Sequence, residues 1–215
     1  MEIGGEEMKK AYIWDLDGTL LDSYDVIVES LYQTLCEAGA ELSREEIHRY
    51  AISFSSNALM EKVAGERGLD PQQLLLRYAQ FSRIKYPLIR LMPNALEILD
   101  ALCDRGATHY VFTHRGTTTM PVLQHLGMEK YFLEILTSKS GFPRKPAPDA
   151  IDYLVQKYGL SKEHTYYVGD RTLDMESAKN AGIPGILYLP KGSPGAPSGA
   201  ETYIISDLMQ ILDVP

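Results

Sequence analysis

Two carboxylates one residue apart, Asp15 and Asp17, end the apolar run Ala11-Tyr12-Ile13-Trp14, with Gly18 and Thr19 directly after them. Acids held this close repel each other unless a cation lies between them or one takes a proton. Hard oxygen ligands in such an arrangement suit magnesium. The apolar run is too short for a helix and reads as a buried strand. Gly18 lets the chain turn sharply off its end. Alternation along an extended chain sends both acidic side chains to one side. Ligands of open α/β sheets bind just past the carboxyl ends of the strands. Asp and Gly are also common turn residues, so this stretch alone leaves a solvated turn open.

The elements that must position these acids follow in chain order. Apolar residues from Tyr24 to about Gly39 fall at helical spacing. Ser43 with Glu46 reads as a capping box opening a second helix. Ser53 to Asn57 is a polar break, and Ala58 to Ala64 is helical again. Asp70-Pro71 starts a helix that runs to about Tyr86. The stretch from Tyr24 to Tyr86 therefore reads as an all-helical insertion without strand signal.

Beyond Pro93 helices and short strands alternate. The strands are expected at His109–Phe112, Phe132–Leu136, Tyr166–Val168, Gly185–Leu189 and Tyr203–Ile205. Helices are expected between them, stopped at Gly106, Gly127, Gly159 and Gly182, with a last one capped by Ser206-Asp207. This alternation implies a parallel sheet with helices on both faces, a Rossmann-like three-layer α/β core. The division expected is a core from residues 8–22 and 88–215 and a helical cap from residues 23–87.

The formal net charge of −8 argues against a chain whose main task is gripping a nucleic-acid backbone. Cys36 and Cys103 form neither a CxxC pair nor a zinc spacing. They are expected as buried thiols of a cytoplasmic protein. No apolar run approaches a membrane span, and the N-terminus has no signal pattern. Residues 1–7 are polar and expected to be disordered. The oligomeric state is not legible.

Parallel strands point their carboxyl ends to one edge. Four expected strands end in polar residues: Asp15-Leu16-Asp17, Thr113-His114-Arg115, Thr137-Ser138 and Gly169-Asp170. A solvated turn would have to be invoked separately for each, so convergence on one site is the better reading. Asp15, Asp17 and Asp170 then offer three carboxylates to one magnesium. Lys145, in a loop stiffened by three prolines, sits before a helix beside this edge and suits a phosphate or carboxylate contact. Asp174 lies one turn from Asp170 and can face the same site or simply favour a helix N-terminus.

Taken together, DLDGT, the Thr after a second strand, Lys-Pro and GDxxxD resemble the haloacid dehalogenase-like hydrolase superfamily, in order and over most of the chain. The subgroup they most resemble is that of the phosphoglycolate phosphatase-like enzymes with a helical cap. FTHRG departs from the commoner Thr/Ser-Asn at the second motif. The resemblance implies Asp15 as a nucleophile that becomes an aspartyl-phosphate and Asp17 as general acid and then base. It implies that Thr113 binds a phosphoryl oxygen and that Lys145 offsets charge. Mg2+ would be held by Asp15, Asp170 and the backbone carbonyl of Asp17. Asp174 would support Lys145 or a water on the metal. Backbone N–H groups of Leu16, Asp17 and His114 would reach the phosphate. Within the cap, the break carrying Ser55 and Asn57 is a candidate for substrate contact, as are His114 and Arg115 in the core.

Asp17 is the residue that dehalogenases of the superfamily lack, so the resemblance implies a phosphatase of a small phosphorylated metabolite, phosphoglycolate being one candidate. A sugar phosphomutase on the same core and a non-catalytic phosphate-sensing module are the alternatives. The first would isomerise substrate without net phosphate release; the second would bind without turnover.

Overall fold

A computed structural model describes residues 9–193 and 195–215. In chain order the elements are β1 (Ala11–Trp14), β2 (Leu21–Asp22), α1 (Tyr24–Glu37), α2 (Arg44–Ser53), α3 (Ser56–Arg67), α4 (Pro71–Lys85), β3 (Arg90–Leu91), α5 (Ala95–Asp104), β4 (Thr108–Phe112), α6 (Thr119–His125), β5 (Phe132–Leu136), α7 (Asp149–Tyr158), β6 (Thr165–Gly169), α8 (Thr172–Ala181), β7 (Gly185–Tyr188) and β8 (Tyr203–Ile205).

Six strands form one sheet in the order β5-β4-β1-β6-β7-β8, with every pairing parallel. The sequence periodicity explains the layers. Tyr12 and Trp14 point to one face of β1, where they pack with α5, α6 and the C-terminal segment around Leu208 and Ile211. Ala11 and Ile13 point to the other face, against Ile151 and Leu154 of α7 and Met175 and Ala178 of α8. A strand buried on both faces needs no polar alternation, which is why AYIW reads as a continuous apolar run. Each large side chain so buried contributes roughly 1.5–3 kcal/mol relative to exposure.

The helices α1 to α4 bury a third cluster of their own, including Leu31, Leu35, Ile47, Leu59, Met60 and Val63. The Ser43–Glu46 capping box is present in full, and Asp70 caps α4 with Pro71 in the first turn. The polar break is narrower than the sequence indicates: α2 runs to Ser53 and α3 begins at Ser56.

One element is added and two expectations are corrected. The chain leaves and re-enters the sheet region through a two-stranded antiparallel ribbon, β2 with β3, whose two-residue strands are too short to show a period. The last helix is a 3₁₀ segment, Leu208–Asp213, although Asp207 caps it as expected. Cys36 and Cys103 are exposed rather than buried. Each follows the buried leucine of its helix, Leu35 or Leu102, and is carried off the apolar stripe by the next residue's rotation. The expected disorder of residues 1–7 lies outside the described residues.

Candidate active site

The register of the sheet decides which side chains meet. Trp14 of β1 pairs with Val111 of β4 on one side and Val168 of β6 on the other. The chain beyond each strand therefore emerges at one edge, bringing Asp15, Thr113 and Asp170 together. Asp15 and Thr113 are each 1% exposed.

Carboxylate oxygens of Asp15, Asp170 and Asp174 lie within 4.8 Å of one another. Glycines permit this crowding. A Cβ on Gly18 would stand 2.3 Å from Asp170 Oδ2, and Gly18 also has φ +82°. A Cβ on Gly169 would stand 2.4 Å from the Asp174 side chain. Neither position tolerates another residue without displacing an acid.

Lys145 reaches this cluster from the proline-stiffened loop with its side chain fully buried. Its Nζ donates to Asp174 Oδ1 at 2.7 Å and lies 2.9 Å from Asp15 Oδ1. The second contact is an ion pair out of line for a hydrogen bond, so Asp15 Oδ1 is buried without a donor. Asp174 Oδ2 accepts from the Arg171 backbone N–H at 3.0 Å. The Tyr24 hydroxyl, from the first residue of α1, donates to Asp170 Oδ2 at 2.7 Å, and Thr19 donates to Oδ1 at 3.3 Å.

Charge crowding shows in the proton affinities. Burial, then the charges of Asp174 and Asp15, pushes the Asp170 carboxyl up to about 8. Burial likewise raises Asp15, against the opposing pull of Lys145. Of these three buried acids Lys145 pairs with two, Asp15 and Asp174, while Asp170 is held by Tyr24 and Thr19, so the cluster has more acids than cations in contact with it. An orphaned Asp15 oxygen and hard carboxylate donors fit a magnesium ion there.

Asp17 is treated differently. Arg115 donates from Nε to Asp17 Oδ1 at 3.0 Å and forms a second, very short contact through Nη2. Ser23 donates to the same carboxylate at 2.6 Å. Burial alone would raise Asp17, but Arg115 and Ser23 outweigh it and hold the carboxyl below its usual range. In this structure the Asp17 carboxylate, expected in the metal set, pairs with Arg115 and Ser23. The acids whose oxygens cluster are Asp15, Asp170 and Asp174.

The backbone N–H groups of Leu16, Asp17 and His114 donate to nothing among the described residues, whereas Leu16 C=O accepts from Leu21 N–H at 2.8 Å. Uncommitted backbone donors at strand ends are of the kind that bind anions. His114 lies against the Lys145 loop, its Nε2 accepting from the Lys145 backbone N–H at 2.9 Å. Ser55 and Asn57 are not drawn into the cluster by any hydrogen bond among the described residues. The Ser55 hydroxyl instead caps α3, accepting from Ala58 N–H at 3.1 Å. Tyr24, Thr19, Ser23, Arg144 and Arg171 were not singled out from sequence. Arg171 had a legible signal, since it directly follows Asp170.

The haloacid dehalogenase-like hydrolase family model matches residues 12–188, most of the chain. The chain belongs to the haloacid dehalogenase-like hydrolase family. Among relatives in this family, it is 32% identical to a phosphoglycolate phosphatase of Agrobacterium fabrum, over 81% of this chain and 78% of that protein. It is 28% identical to a phosphoglycolate phosphatase of Vibrio vulnificus, over 95% of each chain. A solved hydrolase of the superfamily's subfamily IA from Geobacter sulfurreducens superposes with a TM-score of 0.74 at 25% identity, covering 96% of each chain. The six-stranded parallel sheet and flanking helices are thus the family's fold. Among the described residues, no helix is long and apolar enough to cross a membrane.

Proposed function

We propose that the protein is a magnesium-dependent phosphatase of a small phosphorylated metabolite, phosphoglycolate being the leading candidate, working through an aspartyl-phosphate on Asp15. Residues 8–22 and 88–215 are the catalytic core in this reading, residues 23–87 are its cap, and the protein acts in the cytoplasm. The observation that carries the proposal is the pairing of a lysine-contacted, buried Asp15, within a cluster of acids, with a neighbouring Asp17 held separately by Arg115. The relatives named as phosphoglycolate phosphatases support the substrate class.

Magnesium held by Asp15, Asp170 and the Asp17 carbonyl, with Asp174 adjoining, would neutralise charge on the phosphate dianion. The remaining steps belong to the chain. Leu16, Asp17 and His114 N–H groups and the Thr113 hydroxyl hold the phosphoryl oxygens. Lys145 offsets the negative charge shared by nucleophile and phosphate. An Asp15 carboxylate oxygen attacks phosphorus while the ester bond breaks, and the leaving oxygen takes its proton from Asp17, which carries one at neutral pH only once bound substrate has parted it from Arg115, the contact that otherwise keeps it ionised. Asp17 then accepts a proton from the water that cleaves the aspartyl-phosphate, releasing phosphate and restoring Asp15. Positioning and charge compensation supply most of the acceleration in such a transfer.

Asp15→Asn tests this reading. It keeps size and most contacts, so the melting temperature should stay near wild type while phosphate release from phosphoglycolate and from p-nitrophenyl phosphate vanishes. Retained turnover would remove Asp15 from the nucleophile's role.

A further inference from the structure

Beside the carboxylate cluster lies a group of basic donors that the transfer described above does not use. The Lys145 backbone N–H can only donate, so His114 Nε2 must be bare. A neutral imidazole with a bare Nε2 carries its proton on Nδ1. Arg144 Nη2 lies 3.1 Å from that same Nδ1, yet an arginine nitrogen has no acceptor capacity. Two N–H groups therefore face each other with no oxygen between them. Arg171 adds a third donor, since its Nε is buried and finds no partner among the described residues.

His114 and Arg144 are in direct contact, and the charge of Arg171 acts on both. Burial, then the charges of Lys145, Arg144 and Arg171, drives the His114 imidazole down to about 2. Burial and the Arg171 charge also lower Arg144, opposed by Glu61 of α3. Leaving the buried Arg171 Nε unsatisfied is costly, and an anionic oxygen shared among the three groups would satisfy it and separate the facing N–H groups of His114 and the exposed Arg144. The phosphoryl group being transferred already has its own partners in Lys145, Thr113 and the three strand-end N–H groups.

We infer that His114 Nδ1–H, Arg144 and Arg171 form a second anion subsite, and that the substrate is a phosphate monoester carrying a further carboxylate or phosphate close to the scissile bond. This rests on the phosphatase reading for the position of the first phosphate. It adds two arginines that select among phosphate esters. A substrate with one anionic group fills only half of the donor array; one with two fills both.

Phosphonates test this without turnover, because their C–P bond is not hydrolysed by phosphoryl transfer to Asp15. Calorimetric titration of wild-type protein with excess Mg2+ would compare ethylphosphonate, phosphonoacetate and methylenediphosphonate. The second and third carry an added carboxylate and an added phosphonate, so they separate the two sources of the second anion. At least one should bind about tenfold or more tightly than ethylphosphonate. That preference should shrink to within about threefold in Arg171→Gln and in Arg144→Gln. Arg144 is exposed, so its variant remains informative if Arg171→Gln fails to fold. Equal binding of all three ligands by wild type would overturn the subsite, as would full preference retained in both variants. A protein that shows the preference but releases no phosphate from any ester would keep the subsite and sink the phosphatase reading.

Discussion

Replacing Asp170 with Asn should make the metal-free protein more stable at neutral pH. The Asp170 carboxyl has a folded-state value of about 8 against an ordinary 3.8. Between these values the folded protein keeps a proton that the unfolded chain releases. Metal-free stability contributed by this group is therefore present below about pH 4 and is lost as pH rises toward 8. The slope reaches at most about 1.4 kcal/mol per pH unit, so the cost at pH 7 is bounded at about 4 kcal/mol. Asparagine does not titrate, and its side chain can still accept from Thr19 and donate to the Tyr24 oxygen. Urea unfolding at pH 5, 6, 7 and 8 in chelator should give a wild-type stability that falls with pH relative to Asp170→Asn. Saturating Mg2+ should lift wild type by about 2–3 kcal/mol at a hundredfold excess over Kd and lift the variant far less. Parallel pH dependence of the two proteins, or equal gain from Mg2+, would refute the argument that carboxylate crowding creates the cation site.

Gly169→Ala should push Asp174 off Lys145, and a fall of at least about tenfold in kcat with a lowered Tm would report the displaced lysine. Arg115→Gln should raise the Asp17 carboxyl toward its usual range and shift the alkaline limb of the kcat–pH profile upward; an unmoved limb would show that Arg115 does not set the state of Asp17. Burial drives His109 down to about 4, so its neutral form stabilises the fold above about pH 6.5, and that contribution is lost as pH falls toward 4. In His109→Gln, which can still accept from Trp14, melting curves over this range should show a shallower loss.

The sheet was legible because its strands are buried on both faces, and short unbroken apolar runs such as AYIW have few other readings. The convergence of Asp15, Thr113, Lys145 and Asp170 was legible because parallel strands share one carboxyl edge. The pairing of Asp17 with Arg115 was not legible because the two stand 98 residues apart; spacing shows that two acids are neighbours, not which of them a distant arginine will claim. Tyr24 escaped notice for a similar reason, since its hydroxyl acts on Asp170 across 146 residues. Ser55 looked available because a polar break looks the same whether its hydroxyls face a ligand or cap the next helix.

The β2–β3 ribbon has a consequence for how the helical segment is joined to the sheet. The outgoing strand, Leu21–Asp22, and the returning strand, Arg90–Leu91, are hydrogen-bonded neighbours, so the two crossings stand roughly 4.8 Å apart. More than sixty residues thus hang from a stalk two strands wide. The outgoing crossing is also tied to the site, since Ser23 donates to Asp17 and Tyr24 to Asp170 directly after it. Such a joint is also a splice point: another helical bundle with adjacent ends could be grafted there without moving Asp15 or Lys145.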